Sequence, residues 1–305
     1  MLAVQKKTDI LRGLVVSASA AALSLALAAC GSEPETGAGD EPRSAAVEAE
    51  AASLKLYAME CGLIAISDLK DFSDDGSYDG KSDVYADGCF LVRHPDGDLL
   101  WDLGLPDNLA GADEPMVLDV YTITMPRTLK SQLAEIDVAP ADIEFVALSH
   151  THFDHVGNAA DYVGATWIVN PAERVFAFDA ERRAEPELAM TAPLAEYDVM
   201  EITEDHDVFG DGSVMLLQTP GHTPGHLALM VTLKNTGPVL LTGDLYHRKQ
   251  SREERLVPRF NTDRAATLAS MDKFEEIAKE AGARVILQHS QEDMASLPKV
   301  PAYLD

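Results

Sequence analysis

Six consecutive residues, His150-Thr151-His152-Phe153-Asp154-His155, bring three imidazoles and a carboxylate into one short stretch. Imidazole nitrogen and carboxylate oxygen are the ligands that suit zinc and other borderline divalent metals. In a locally extended loop His150 and His152 project together, while Asp154 and His155 face a second position. One segment can then serve two metal ions. The run 143–148 just before it is apolar and β-branched, which reads as a buried strand. The cluster therefore sits at the C-terminal mouth of a strand, where open α/β folds place their ligands. A solvated polar loop does not need four ligand-type residues this dense, so a metal site is the reading that the pattern favours.

Three more candidate ligands stand in the same local setting. His222, in Thr219-Pro220-Gly221-His222, follows the apolar run 214–218. Asp244 follows 239–242, and His289 follows 285–288. Residues this far apart in sequence converge if their strands share a sheet edge. His226, four residues past His222, reads as a partner that orients a ligand, since metal ligands need outer hydrogen bonds. His94 and His206 lie in polar, turn-like contexts and read as surface histidines.

With these residues the chain resembles the metallo-β-lactamase superfamily of hydrolases, and within it the N-acyl-homoserine lactone lactonases. The resemblance rests on the His150–His155 run, His222 in TPGHTPGH, Asp244 in LLTGD, His289 in LQHSQED, and the strand-plus-Asp element Trp101-Asp102-Leu103-Gly104. It covers nearly everything after residue 53. It implies an α/β fold, an αββα sandwich with the metals at one edge of the two sheets. It implies two divalent ions, zinc first: His150, His152 and His222 on one, Asp154, His155 and His289 on the other, Asp244 bridging. The implied reaction is opening of an acyl lactone by a hydroxide shared between the ions, with Asp154 carrying the proton to the leaving oxygen. Lactonases of this type often carry a tyrosine three residues after the bridging aspartate. Here that position is His247, with Tyr246 one residue earlier, and either is a candidate donor to the substrate carbonyl. A β-lactamase or another ester or thioester hydrolase of the same fold is the alternative, and a non-catalytic metal-binding lipoprotein is the reading from a different class. The complete seven-residue set argues against the last.

The elements that must hold these ligands follow from periodicity. Strand-like runs recur near 54–59, 88–93, 98–103, 143–148, 166–169, 213–218, 226–233, 238–242 and 284–288. Helical segments fit 126–136, 158–163, 171–178 and 262–281. In the last, Leu268, Met271, Phe274, Ile277 and Ala278 form an apolar stripe. Asn261 or Thr262 is expected to cap its start and Gly282 to end it. The apolar segment 115–126 reads either as an acyl-chain wall or as ordinary core.

The N-terminus predicts an address. Lys6, Lys7 and Arg12 precede an apolar, small-residue stretch that ends in Leu27-Ala28-Ala29-Cys30, the pattern of a lipoprotein signal peptide over 1–29 with Cys30 as lipid anchor. Residues 30–52 read as a disordered acidic tether and 53–305 as the hydrolase domain, which is long enough for one substantial core. Gly31 and Ser32 carry no inner-membrane-retaining aspartate, so the outer membrane or periplasm is expected. Cys61 and Cys89 are either a disulfide in that oxidising compartment or buried thiols. The formal net charge is −27, which disfavours nucleic acid and polyanionic substrates and suits an uncharged small molecule.

Overall fold

The computed structural model describes residues 53–179 and 186–305. The expected leader (1–29) and tether (30–52) lie outside the described residues. The chain builds β1 (Lys55–Ile66), β2 (Asp83–His94), β3 (Gly97–Trp101), the short pair β4 (Met116–Leu118) and β5 (Tyr121–Thr124), then helix α1 (Leu129–Ala134). β6 (Phe145–Ala147), β7 (Thr166–Val169), α2 (Pro171–Ala177), β8 (Asp198–Glu201) and β9 (His206–Asp207) follow. The last third holds β10 (Val214–Gln218), β11 (Leu227–Leu233), β12 (Gly237–Leu241), α3 (Lys249–Glu254), α4 (Arg264–Ala281), β13 (Arg284–Ile286) and α5 (Gln291–Ala295).

The strands form two mixed sheets, one of eight in the order β4-β5-β1-β2-β3-β6-β7-β8 and one of five in the order β13-β12-β11-β10-β9. Alternation along the strands explains why the sheets stack. In β2 and β3, Phe90, Val92, Leu99 and Trp101 face the layer shared with Leu216, Leu229, Val239 and Leu241 of the second sheet. Their neighbours Cys89, Leu91 and Leu100 face outward into a layer with Leu129 and Leu133 of α1 and Ala177 of α2. On the second sheet Leu217, Ala228 and Leu240 face outward onto Met271, Phe274 and Ala278 of α4. Strands buried on both faces read as continuous apolar runs, and these do. The architecture is the expected αββα sandwich.

Several elements depart from expectation in their limits. Helix α4 is capped by Asp263, whose carboxylate accepts from Ala266 N, rather than by Asn261 or Thr262. It ends at Gly282, in the left-handed region at φ 60°, as expected. The predicted helix 158–163 is a single 3-10 turn, Ala159–Asp161, because Asn158 turns its amide onto the Leu103 and Leu105 carbonyls. Segment 115–126 is the β4–β5 hairpin on the sheet edge. His94 is no plain surface histidine: it stacks on Phe209 with ring centroids 4.0 Å apart, and its Nε2 lies 3.1 Å from Asp211.

Cys61 and Cys89 form a disulfide between β1 and β2. At the far end of the chain Leu304 exchanges two backbone hydrogen bonds with Leu56, each 2.9 Å, so the tail clasps β1. Among the described residues no helix is long and apolar enough to cross a membrane.

Candidate metal centre

Every proposed ligand leaves its strand at the same edge. The loop after β6 carries His150, His152, Asp154 and His155; the loops after β10, β12 and β13 carry His222, Asp244 and His289. Ligand atoms of His150, His152, His222 and Asp244 lie within 4.8 Å of one another, as do those of Asp154, His155 and His289. Asp244 faces both groups. Its Oδ2 is 3.5 Å from His150 Nε2 and 3.3 Å from His222 Nε2, while its Oδ1 is 3.3 Å from His155 Nε2 and 2.8 Å from His289 Nε2.

The imidazoles are oriented for metal by what holds their outer nitrogens. His155 Nδ1 lies 3.0 Å from the buried Asp102 carboxylate, His289 Nδ1 is 2.8 Å from Ala86 O, and His222 Nδ1 is 2.8 Å from Asn261 Oδ1. His150 Nδ1 meets Ser149 Oγ at 3.0 Å. With Nδ1 engaged outward, each Nε2 lone pair is turned inward, the usual arrangement of a carboxylate- or carbonyl-backed metal histidine. His155 Nε2 is fully buried and makes no hydrogen bond to any described residue. Converging buried nitrogens without proton donors opposite them would be costly unless a cation sits among them. The donor set therefore fits two divalent ions.

A second ring of residues holds the loops. Asp102, in the left-handed region at φ 58°, accepts from Ser149 N at 2.6 Å and from Gln288 Nε2 at 2.8 Å. Gln288 in turn accepts from Trp101 Nε1 and Gly243 N, so one buried amide ties the loops after β12 and β13 to the end of β3. Glu173 of α2 is buried and accepts from Thr151 N and Oγ1, each at 2.7 Å, and from Gly225 N at 3.1 Å. Burial pushes its carboxyl above the usual range. His226 accepts from Asp244 N at 2.9 Å and engages Thr219 through Nδ1. Burial and the neighbouring His222 hold His226 down to about 3, a neutral ring at any working pH. Gly221 is required where it stands, since a Cβ there would meet Thr267 N at 2.2 Å.

Over the ligands opens a cavity of about 230 Å³. Ile64, Ile66, Phe72, Phe153, Phe260 and Tyr121 form its apolar walls, and Asp154, Asp244, His247 and His289 its polar floor. His247 lies with Nε2 3.0 Å from Asp244 Oδ2 and stacks on His289 at 5.6 Å. Tyr246 does not reach the cavity. It is 1% exposed and packs on Phe274 in the layer beneath α4, so the reading of Tyr246 as a substrate contact is withdrawn. Of segment 115–126, Tyr121 lines the cavity, whereas Met116 lines a separate crevice with Pro115 and Met125. Sequence reasoning missed Glu173, Gln288 and the role of Asn261. Asn261 stood out as a helix cap, and Gln288 adjoins a ligand, but nothing in the sequence marks Glu173.

The fold and this constellation define a metal-dependent hydrolase, and residues 88–289 match the metallo-beta-lactamase superfamily. The chain belongs to that superfamily. It is 30% identical over 226 residues to the N-acyl homoserine lactonase AttM of Rhizobium radiobacter, covering 70% of this chain and 85% of that protein. It is 28% identical over 224 residues to the N-acyl homoserine lactonase AiiA of Bacillus thuringiensis subsp. kurstaki, covering 71% and 86%. Among solved structures it is similar to an N-acyl homoserine lactone hydrolase with the product N-hexanoyl-L-homoserine bound at its catalytic metal centre. That likeness has a TM-score of 0.70 and 26% identity, covering 83% of this chain and 99% of that one.

Proposed function

We propose that this protein opens the lactone ring of N-acyl-homoserine lactones, using two divalent ions, zinc first. The observation that carries the reading is Asp244, one carboxylate whose two oxygens face two separate sets of histidines. Its relatives, named as lactonases along most of their length, support the substrate class. His150, His152 and His222 would hold one ion, Asp154, His155 and His289 the other, and Asp244 both. When bound, the pair supplies activated water and a Lewis acid for the carbonyl.

The protein's own groups do the rest. Asp154, with Oδ2 3.7 Å from His289 Nε2, carries a proton to the departing ring oxygen. His247 braces Asp244 from the cavity side. The apolar walls take an acyl tail without a charged anchor, which suits a neutral substrate in a chain of net charge −27. The protein is exported and lipid-anchored through Cys30, at the outer membrane or in the periplasm. A disulfide between Cys61 and Cys89 supports an oxidising compartment.

The test is ring opening of a short and a long acyl-homoserine lactone beside a cephalosporin, with the metal-loaded protein. Lactones are expected to open to the free acids, with longer tails bound more tightly. Turnover of the cephalosporin with no lactone opened would replace this reading by the β-lactamase one.

A further inference from the structure

The proposed reaction leaves one role unfilled. The resemblance puts a phenolic donor three residues after the bridging aspartate, but this chain has His247 there, and His247 is engaged with Asp244 Oδ2 at 3.0 Å. Tyr246 points away from the cavity, into the layer beneath α4. A different tyrosine stands in the cavity wall. Tyr85, on β2, is 3% exposed and lines the cavity beside Asp244, His247 and His289. Its ring stacks on His289, with centroids 5.7 Å apart and planes 25° apart, and lies 6.2 Å from the ring of His247. Phe72 meets it edge-on at 5.4 Å and fixes its tilt.

The Tyr85 hydroxyl is buried and has no hydrogen-bond partner among the described residues. A buried unpaired hydroxyl is costly relative to a paired one, and a phenylalanine would fill the same space without that cost. The polar atom thus works against folding stability at a position that faces the reaction site. Such a group is explained by a partner that arrives with the substrate. Burial holds the phenol protonated, against an opposing pull from Arg248, so it is available as a donor.

Resting on the lactonase reading, we infer that Tyr85 is the hydroxyl that donates a hydrogen bond to the substrate's acyl or lactone oxygen, from β2 rather than from the loop after Asp244. In this chain the phenol stands on the β2 wall of the cavity, and His247 lies against Asp244.

The experiment compares Tyr85→Phe with the wild-type protein, both zinc-loaded, on N-hexanoyl-homoserine lactone. Metal content, melting temperature, and binding of the ring-opened N-hexanoyl-homoserine are measured alongside. The expected result is a fall in kcat/KM of about a hundredfold, as for loss of one oxyanion donor. Product binding weakens, metal content is unchanged, and the melting temperature is equal or higher. Tyr246→Phe, outside the cavity, is expected to keep wild-type kinetics. Unchanged kcat/KM and product binding in Tyr85→Phe overturn the inference, and so does a loss of activity that only tracks loss of metal or of melting temperature. If the wild-type protein opens no lactone but cleaves another ester, the lactonase reading fails, and the same comparison on that ester decides Tyr85 separately.

Discussion

Asp244 faces both candidate metal positions, so Asp244→Ala is expected to lower bound metal below two equivalents and turnover by orders of magnitude. Elemental analysis with steady-state kinetics reads both, and near-wild-type turnover with full metal would remove Asp244 from the reaction. The residues behind the ligands should act more mildly. His226→Ala and Glu173→Ala are each expected to weaken metal affinity about 10- to 100-fold without abolishing binding, whereas His222→Ala should empty its site. Competition with a chelator ranks them, and a His226→Ala as severe as His222→Ala would make His226 a ligand. The candidate ligands stand out in the sequence because each is a reactive residue type placed just after an apolar strand. Glu173 does not, because a carboxylate on a short helix looks like a solvated charge until the fold sets it over Thr151 and Gly225. Tyr246 misled for the converse reason: one residue of register along an irregular turn decides between cavity and core.

Helix α4 and the β1–β2 pair show what the elements contribute. Phe274 sits at the centre of the layer between α4 and the second sheet, fully buried. Phe274→Ala is expected to destabilise the domain by about 3–5 kcal/mol, measured by denaturant unfolding. The disulfide closes a loop with a sequence separation of 28, which by loop entropy is worth about 3–4 kcal/mol. Cys89→Ala should therefore lower the unfolding midpoint under non-reducing conditions, and a midpoint equal to wild type would show that the bridge does not form. The stripe in α4 and the central strands were readable because period 3.6 and continuous apolar runs are strong signals. The short strands β4, β5, β8 and β9 were not, since they lie at or next to sheet edges and have few buried positions to mark them. The cap of α4 was misplaced by one or two residues because Asn261, Thr262 and Asp263 are all good caps, and Asn261 and Thr262 are drawn off to His222.

At the scale of the whole molecule the charge and the N-terminal pattern bear on the proposed lipid-anchored address. Cys30→Ala is expected to shift the protein from the membrane fraction to the soluble one, because the acidic chain has little affinity of its own for an anionic surface. Fractionation that does not change would favour a plain cleaved leader. The tail clasp of Leu304 on Leu56 has a consequence for how the molecule is made. Leu304 pairs with a strand that precedes it by most of the domain, and the candidate ligands are spread over the stretch from His150 to His289. Contacts of such separation form late, after the cost of closing long loops is met. The eight strands of the larger sheet are all in place once β8 is present, but the candidate ligands gather only when His289 joins them, and the Leu304 clasp comes after that. Full metal affinity is therefore a property of the assembled site and not of the His150–His155 run alone.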